Sequence, residues 1–308
     1  MPAVAGVLLL LILLTGCASP QVRTLLEEPP ASLPLRAELS AVPFFPQQDY
    51  QCGPAALAMA MTHAGVSVLP EALVSQVYLP AREGSLQAEM LAATRRHGLL
   101  AYPLAPRLQD LLLEVSAGNP VIVLQNLSLA FAPIWHYAVV VGYDRESEEI
   151  ILRSGTTRRL AMTLSTFDRT WARSRHWGMV VLQPDRLAST AAEADHIAAA
   201  AALERSSPAA AQRAYASALV RWPSNIVARL GLGNAAYAQG KLTEAETAYH
   251  QATLEHPQSG DAWNNLAQVR FELGRKNEAL AAAQRAVALG GPRAALYRKT
   301  LNSISGTN

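Results

Sequence analysis

The chain has 308 residues and a formal charge of +2, and half of its residues are hydrophobic. That length fits about two domains. A charge so near zero, with no basic run, excludes an electrostatically driven nucleic-acid binder, and no His/Cys/carboxylate cluster has metal-ligand spacing, so neither metal nor cofactor is expected.

The first element is an uninterrupted apolar run over 4–14. Eleven residues are too few to span a bilayer as a helix but fit the core of a signal peptide. Leu14-Thr15-Gly16-Cys17 follows it and resembles the lipobox of bacterial lipoproteins. The resemblance implies that 1–16 is removed and that Cys17 carries lipid. Ala18 rather than Asp follows, which by the same resemblance favours the outer membrane, facing the periplasm. Residues 17–40 contain Glu27-Glu28-Pro29-Pro30 and read as a semi-extended tether.

A mixed α and β domain is expected over 41–184. Helical periodicity occurs at 53–63, 86–97 and 107–117. Strand-like runs follow at 120–125, 136–143, 149–153 and 177–182, with 144–148 as the polar turn of a hairpin. Helices first and an antiparallel sheet second make the class α+β. Cys52 opens the first helix, and with Cys17 lipidated it has no disulfide partner in the chain. A thiol at a helix N-terminus feels the positive end of the backbone dipole, which favours thiolate; the competing reading is a buried structural cysteine. A glutamine a few residues upstream offers a donor to an oxyanion.

A nucleophilic thiol needs a base, and seven histidines are available. His196, His250 and His256 fall in the C-terminal helices, at positions expected to be exposed. His63 ends the helix that Cys52 begins, roughly 16 Å away. His97, beside Arg95 and Arg96, reads as a solvated helix end. His136 opens the longest apolar strand and is the base of the right kind; the competing reading is a half-buried strand-end histidine.

Residues 187–290 are alanine-rich with a fixed step of 34. Ala211, Ala245 and Ala279 keep it, as do Ala218, Ala252 and Ala286, Tyr215 and Tyr249, and Pro223 and Pro257. Small residues at such steps let paired helices pack closely, which is the pattern of the tetratricopeptide repeat. About three units are expected, the first degenerate in its opening helix at 197–203. Residues 291–308 hold a capping helix and tail.

Two blocks carry a family resemblance. Pro43-Phe44-Phe45-Pro46-Gln47, continuing through Cys52-Gly53-Pro54-Ala55-Ala56-Leu57-Ala58-Met59, resembles the bacteriocin-processing (double-glycine leader) cysteine peptidases, a papain-like group known as cysteine peptidase family thirty-nine. His136-Tyr137-Ala138-Val139-Val140-Val141-Gly142-Tyr143 resembles the strand that carries their histidine. The resemblance implies a papain-like α+β cysteine peptidase domain over 41–184, followed here by the all-α repeat array. It also implies acyl transfer to Cys52, with His136 as base and then acid. Gln47 best matches the oxyanion-hole glutamine, with Gln48 as the alternative.

That group orients its histidine with an Asp or Asn on the next strand. Folding the hairpin at about 145–147 brings residues 154–157 near His136, and none is acidic; Ser154 falls nearest the expected position. Asp144 lies eight residues along the His136 strand, roughly 26 Å away. The expected function is therefore a membrane-anchored periplasmic cysteine peptidase acting on a peptide or protein, with the repeats recruiting substrate or partner. The alternatives are a weak or inactive peptidase-fold scaffold, and an acyltransferase or amidase on the same fold.

Overall fold

The computed structural model describes residues 19–47 and 51–306; Cys17 and Gln48 lie outside them. The described residues fall into two compact units. The first runs to Thr94 and includes Ala101–Val181 and Ala188–Thr190; the second has Arg95–Leu100, Leu182–Leu187 and the residues from Ala191 onward. The fold class is the expected one, an α+β unit followed by all-helical repeats.

In the first unit, α1 (Pro20–Glu27) precedes β1 (Arg36–Glu38) and the central α2 (Cys52–His63). Next come α3 (Pro70–Val77), the short hairpin β2 (Tyr78–Leu79) and β3 (Gly84–Ser85), α4 (Gln87–Arg96), β4 (Leu100–Pro103) and α5 (Leu108–Ser116). Strands β5 (Val121–Asn126), β6 (Trp135–Asp144), β7 (Glu149–Ser154) and β8 (Thr157–Thr163) follow, then α6 (Leu164–Ala172) and β9 (Gly178–Leu182). The sheet order is β4-β9-β5-β6-β7-β8, with β1 added to β6. Strand β6 is buried at every position from Tyr137 to Tyr143, so both of its faces are covered. Helix α2 is apolar all round and buried from Gly53 to Met61, as a central helix must be.

The tether expected at 17–40 is corrected over its described part. Pro20 starts α1, whose Val22 and Leu25, three apart on one face, are buried. Arg36, Ala37 and Glu38 pair antiparallel with Asp144, Tyr143 and Gly142. Strand β5 occupies the same edge of β6 further along, from Val140 to Trp135. Gly142 makes the junction possible: a Cβ there would lie 2.8 Å from the Ala37 carbonyl oxygen. Prolines in 29–34 thus separate a helix from a strand.

The second unit pairs α7 (Glu193–Ala201) with α8 (Pro208–Arg221), α9 (Ile226–Tyr237) with α10 (Leu242–Glu255), and α11 (Gly260–Glu272) with α12 (Lys276–Leu289); α13 (Ala294–Ser305) packs on the last pair. The six alanines of the 34-residue step are all fully buried at the helix contacts. The exposed position expected for His196 is corrected. Its ring is fully buried, with Nε2 3.4 Å from the Ala214 carbonyl and the Trp222 ring 5.8 Å away. In this first, degenerate pair, histidine fills the core-facing position of α7. His250 is exposed as expected, and His256 is half-buried.

Candidate active site

Cys52 is the first residue of α2, with Gln51 as N-cap. Gly53 lets the helix start approach β3 closely: a Cβ at Gly53 would lie 2.2 Å from Ser85 Oγ. The Ser85 hydroxyl is itself buried and without a hydrogen-bond partner, and the Ser85 carbonyl accepts from the Tyr137 hydroxyl at 3.2 Å. Cys52, Ser85 and Tyr137 therefore form one wall of the site. Sequence reasoning missed Ser85, because a two-residue strand leaves no periodic signal.

Two effects compete at the thiol. Burial raises its pKa, while hydrogen bonds from the main chain of Tyr137, Gly53 and Cys52 itself lower it; burial wins, so the pKa lies above the ordinary value. The lowered pKa expected from the helix start is corrected accordingly. The dipole is present, but burial takes more solvation from the thiolate than the main-chain hydrogen bonds at the helix start return. His136 shifts the opposite way, its pKa lowered by burial. Both shifts favour the neutral form, the thiol at Cys52 and the imidazole at His136.

His136 stands at the second position of β6, half-buried. Its Nε2 lies 2.8 Å from Ser154 Oγ at the end of β7, which leaves Nδ1 as the ring's second nitrogen. A bulge sets this pairing. From the turn, Asp144, Tyr143 and Gly142 face Glu149, Ile150 and Ile151; past Val141, Val140 and Val139 face Leu152 and Arg153. Val141 is the extra residue. Continuing the shifted register puts Ser154 opposite Ala138, on the same face as His136. Without the bulge Ser154 would oppose Val139 and point the other way.

Gln47 reaches the same place from the other side. Its Nε2 donates to the Tyr137 carbonyl at 3.3 Å, and its backbone N–H donates to the Gly155 carbonyl at 3.1 Å. Buried Arg153 fixes the segment leading to Gln47, donating to the carbonyls of Ser40 and Val42 at 3.5 and 3.4 Å. The main chain of Tyr137 is thus the meeting point: it draws the pKa of the Cys52 thiol down, accepts from the Gln47 amide and is adjacent in sequence to His136. The structure brings Cys52, Gln47, His136 and Ser154 around one strand end.

Residues 39–179 match the Peptidase_C39 like family. Residues 198–252 and 230–294 match a tetratricopeptide repeat model. No curated protein matches the chain. Among solved structures, a C39-like peptidase from Bacillus anthracis is 18% identical, over 48% of this chain and 97% of that one, with a TM-score of 0.41. The Sgt2 TPR domain from Aspergillus fumigatus is 23% identical, over 37% of this chain and 77% of that one, with a TM-score of 0.35. The chain therefore joins a peptidase-like unit to protein-interaction repeats.

The other histidines of the first unit have structural partners. His63 Nε2 lies 3.0 Å from the Gly118 carbonyl. His176 Nε2 lies 3.0 Å from Asp168 Oδ1 on α6, with its ring edge-on to Trp171. Helix α6 was not expected, although its signal is present: Thr163 caps it by accepting from the Thr166 N–H, and Leu164, Phe167 and Trp171 keep helical spacing. Among the described residues no group of three or more His, Cys, Asp or Glu could hold a metal.

Proposed function

We propose that the protein is a membrane-anchored cysteine peptidase of the cell envelope. Lipid on Cys17 holds it to the outer membrane facing the periplasm, and the repeats recruit substrate or partner. The observation that carries the chemistry is the meeting of the Cys52 thiol and Gln47 at the main chain beside His136, whose far nitrogen is held by Ser154. In this reading His136 takes the thiol proton as sulfur attacks the scissile carbonyl carbon. The oxyanion receives hydrogen bonds from Gln47 Nε2 and from main-chain N–H at the start of α2. The Gln47 bond to the Tyr137 carbonyl is long enough to be exchanged for this one. His136 returns the proton to the leaving amine as the C–N bond breaks, then activates water to hydrolyse the thioester.

The test is to incubate the full chain and its Cys52→Ala variant with a periplasmic peptide extract and count new termini by mass spectrometry. Termini absent from the Cys52→Ala sample support the peptidase. One observation favours a second reading, a scaffold that binds peptides without cutting them: a hydroxyl stands where a carboxylate would stabilise imidazolium. Identical termini in both samples, together with retention of peptides on the protein, would establish that reading. Acyltransferase or amidase chemistry would show instead as transfer to an added amine, or as loss of side-chain amides.

A further inference from the structure

The link between β5 and β6 is a hairpin tip of unusual composition. Residues 127–135 read Leu-Ser-Leu-Ala-Phe-Ala-Pro-Ile-Trp, without a charge. Asn126 braces its base, its Oδ1 accepting from the N–H groups of Ser128 and Ile134 at 3.0 Å. The Ala132 N–H donates to the Leu129 carbonyl at 3.2 Å and closes the turn. Turns of this kind are ordinarily built from Gly, Asn, Asp, Pro or Ser; here Phe131 sits in the turn at 85% exposure. Leu127, Leu129, Ile134 and Trp135 are exposed to between 48 and 60%. An ordered, uncharged, aromatic-tipped projection is costly in water and contributes nothing to the core of its own unit.

Two further observations say what covers it. First, Arg173, just past α6, donates to the carbonyls of Asn126 and Ser128 and so clasps the stem of the tip. Five residues earlier on α6, about 8 Å along the axis, buried Asp168 accepts from the Ser19 hydroxyl. Cys17 stands two residues before Ser19, and two residues reach at most about 7 Å. The chain leading to the anchor and the apolar tip are therefore fastened to one short helix. Second, the segment that clasps the tip is basic. Arg169, Arg173 and Arg175 are exposed, and Asp168 is the only acidic residue between 150 and 184. Apolar and aromatic side chains with arginine at their stem match an interface of acyl chains and anionic headgroups.

We infer that the 127–135 tip inserts into the surface of an anionic bilayer, a second membrane contact beside the lipid anchor. Phe131 and Leu129 enter the acyl region, Trp135 lies at headgroup level and the arginines meet phosphate. Because His136 follows Trp135, the insertion holds the Cys52 site at the membrane surface, facing peptide segments that emerge from it. The inference uses the anchor reading only for the nearness of the bilayer and makes no use of catalysis.

The test uses the full chain reconstituted in vesicles of phosphatidylethanolamine and phosphatidylglycerol with brominated acyl chains, which quench tryptophan on contact. Trp135 is one of five tryptophans. The expected result is a quenched component of that share, abolished by Trp135→Phe and reduced by Phe131→Ser, while every variant still floats with the vesicles. Quenching that is absent, or unchanged in Trp135→Phe, in protein that floats overturns the tip and leaves the anchor standing. Protein that does not float overturns both. A Trp135 emission shift on adding a leucine-rich peptide, without lipid quenching, overturns the inference by assigning the tip to substrate.

Discussion

His136 and His176 lie in the same α+β unit, and each engages one other side chain through Nε2, at 2.8 and 3.0 Å. Their company differs. His176 has the buried carboxyl group of Asp168, which Ser19 also serves. His136 has only the hydroxyl of Ser154, but it directly precedes in β6 the residue whose main chain acts on the one free cysteine among the described residues. The better-partnered histidine is the one without a nucleophile. A histidine–carboxylate pair is thus poor evidence of catalysis by itself, and the mechanism proposed above gives the proton-transfer role to His136 instead.

The comparison is most open to refutation at the rings themselves. Replacing His136 by Ala is expected to lower kcat/KM for peptide hydrolysis by about 10²- to 10⁴-fold, the usual worth of a positioned base. Replacing His176 by Ala is expected to leave kcat/KM within about twofold while lowering stability by about 1–3 kcal/mol, because Asp168 loses a partner inside the fold. Kinetics and denaturant unfolding on both variants decide this, and equal kinetic losses would end the distinction.

A smaller and directional effect concerns pH. Burial depresses the folded pKa of His136, so as pH falls below about 6.5 the unfolded chain takes up the proton first. The stability contributed by neutral His136 is present above that pH and lost as pH falls through the folded pKa. The acid limb of kcat/KM is expected below pH 6.5 for the same reason. Cys52 shifts upward, so its alkylation by iodoacetamide is expected to reach half its maximal rate only above about pH 8.5. An alkylation midpoint near 7 would mean an ion pair at rest and contradict the neutral one.

The smallest effect is at Ser154. With the pair neutral at rest, Ser154→Ala removes one neutral hydrogen bond, worth about 1 kcal/mol or roughly fivefold in kcat. Stability is expected to change little, because the site is half-buried. A loss approaching the 10⁴-fold cost of disabling a triad carboxylate would show that Ser154 does more than orient the ring.

Much of the molecule was legible in the chain. The helical array followed from alanines at a constant step, because close helix contacts admit only small side chains and therefore leave a period. The helix starting at Cys52 and the strand starting at His136 followed from long apolar runs. Helix α1 was hidden by the prolines around it, although Val22 and Leu25 already had the spacing of a buried face. The β2–β3 hairpin, and with it Ser85, was too short to register.

The sequence by itself determined which residues are the candidates, since the lipobox resemblance accounts for Cys17 and leaves Cys52, and His136 heads the long apolar run. Tertiary structure alone decided how they meet. The extra residue at Val141 turns Ser154 to the face of His136, and no local pattern marks which residue a bulge will take, because bulges are fixed by the two strands together. Tertiary structure also decided the direction in which the Cys52 and His136 pKa values shift. The dipole at a helix start can be read from a sequence, whereas desolvation depends on what packs around the sulfur, and here it is the larger effect.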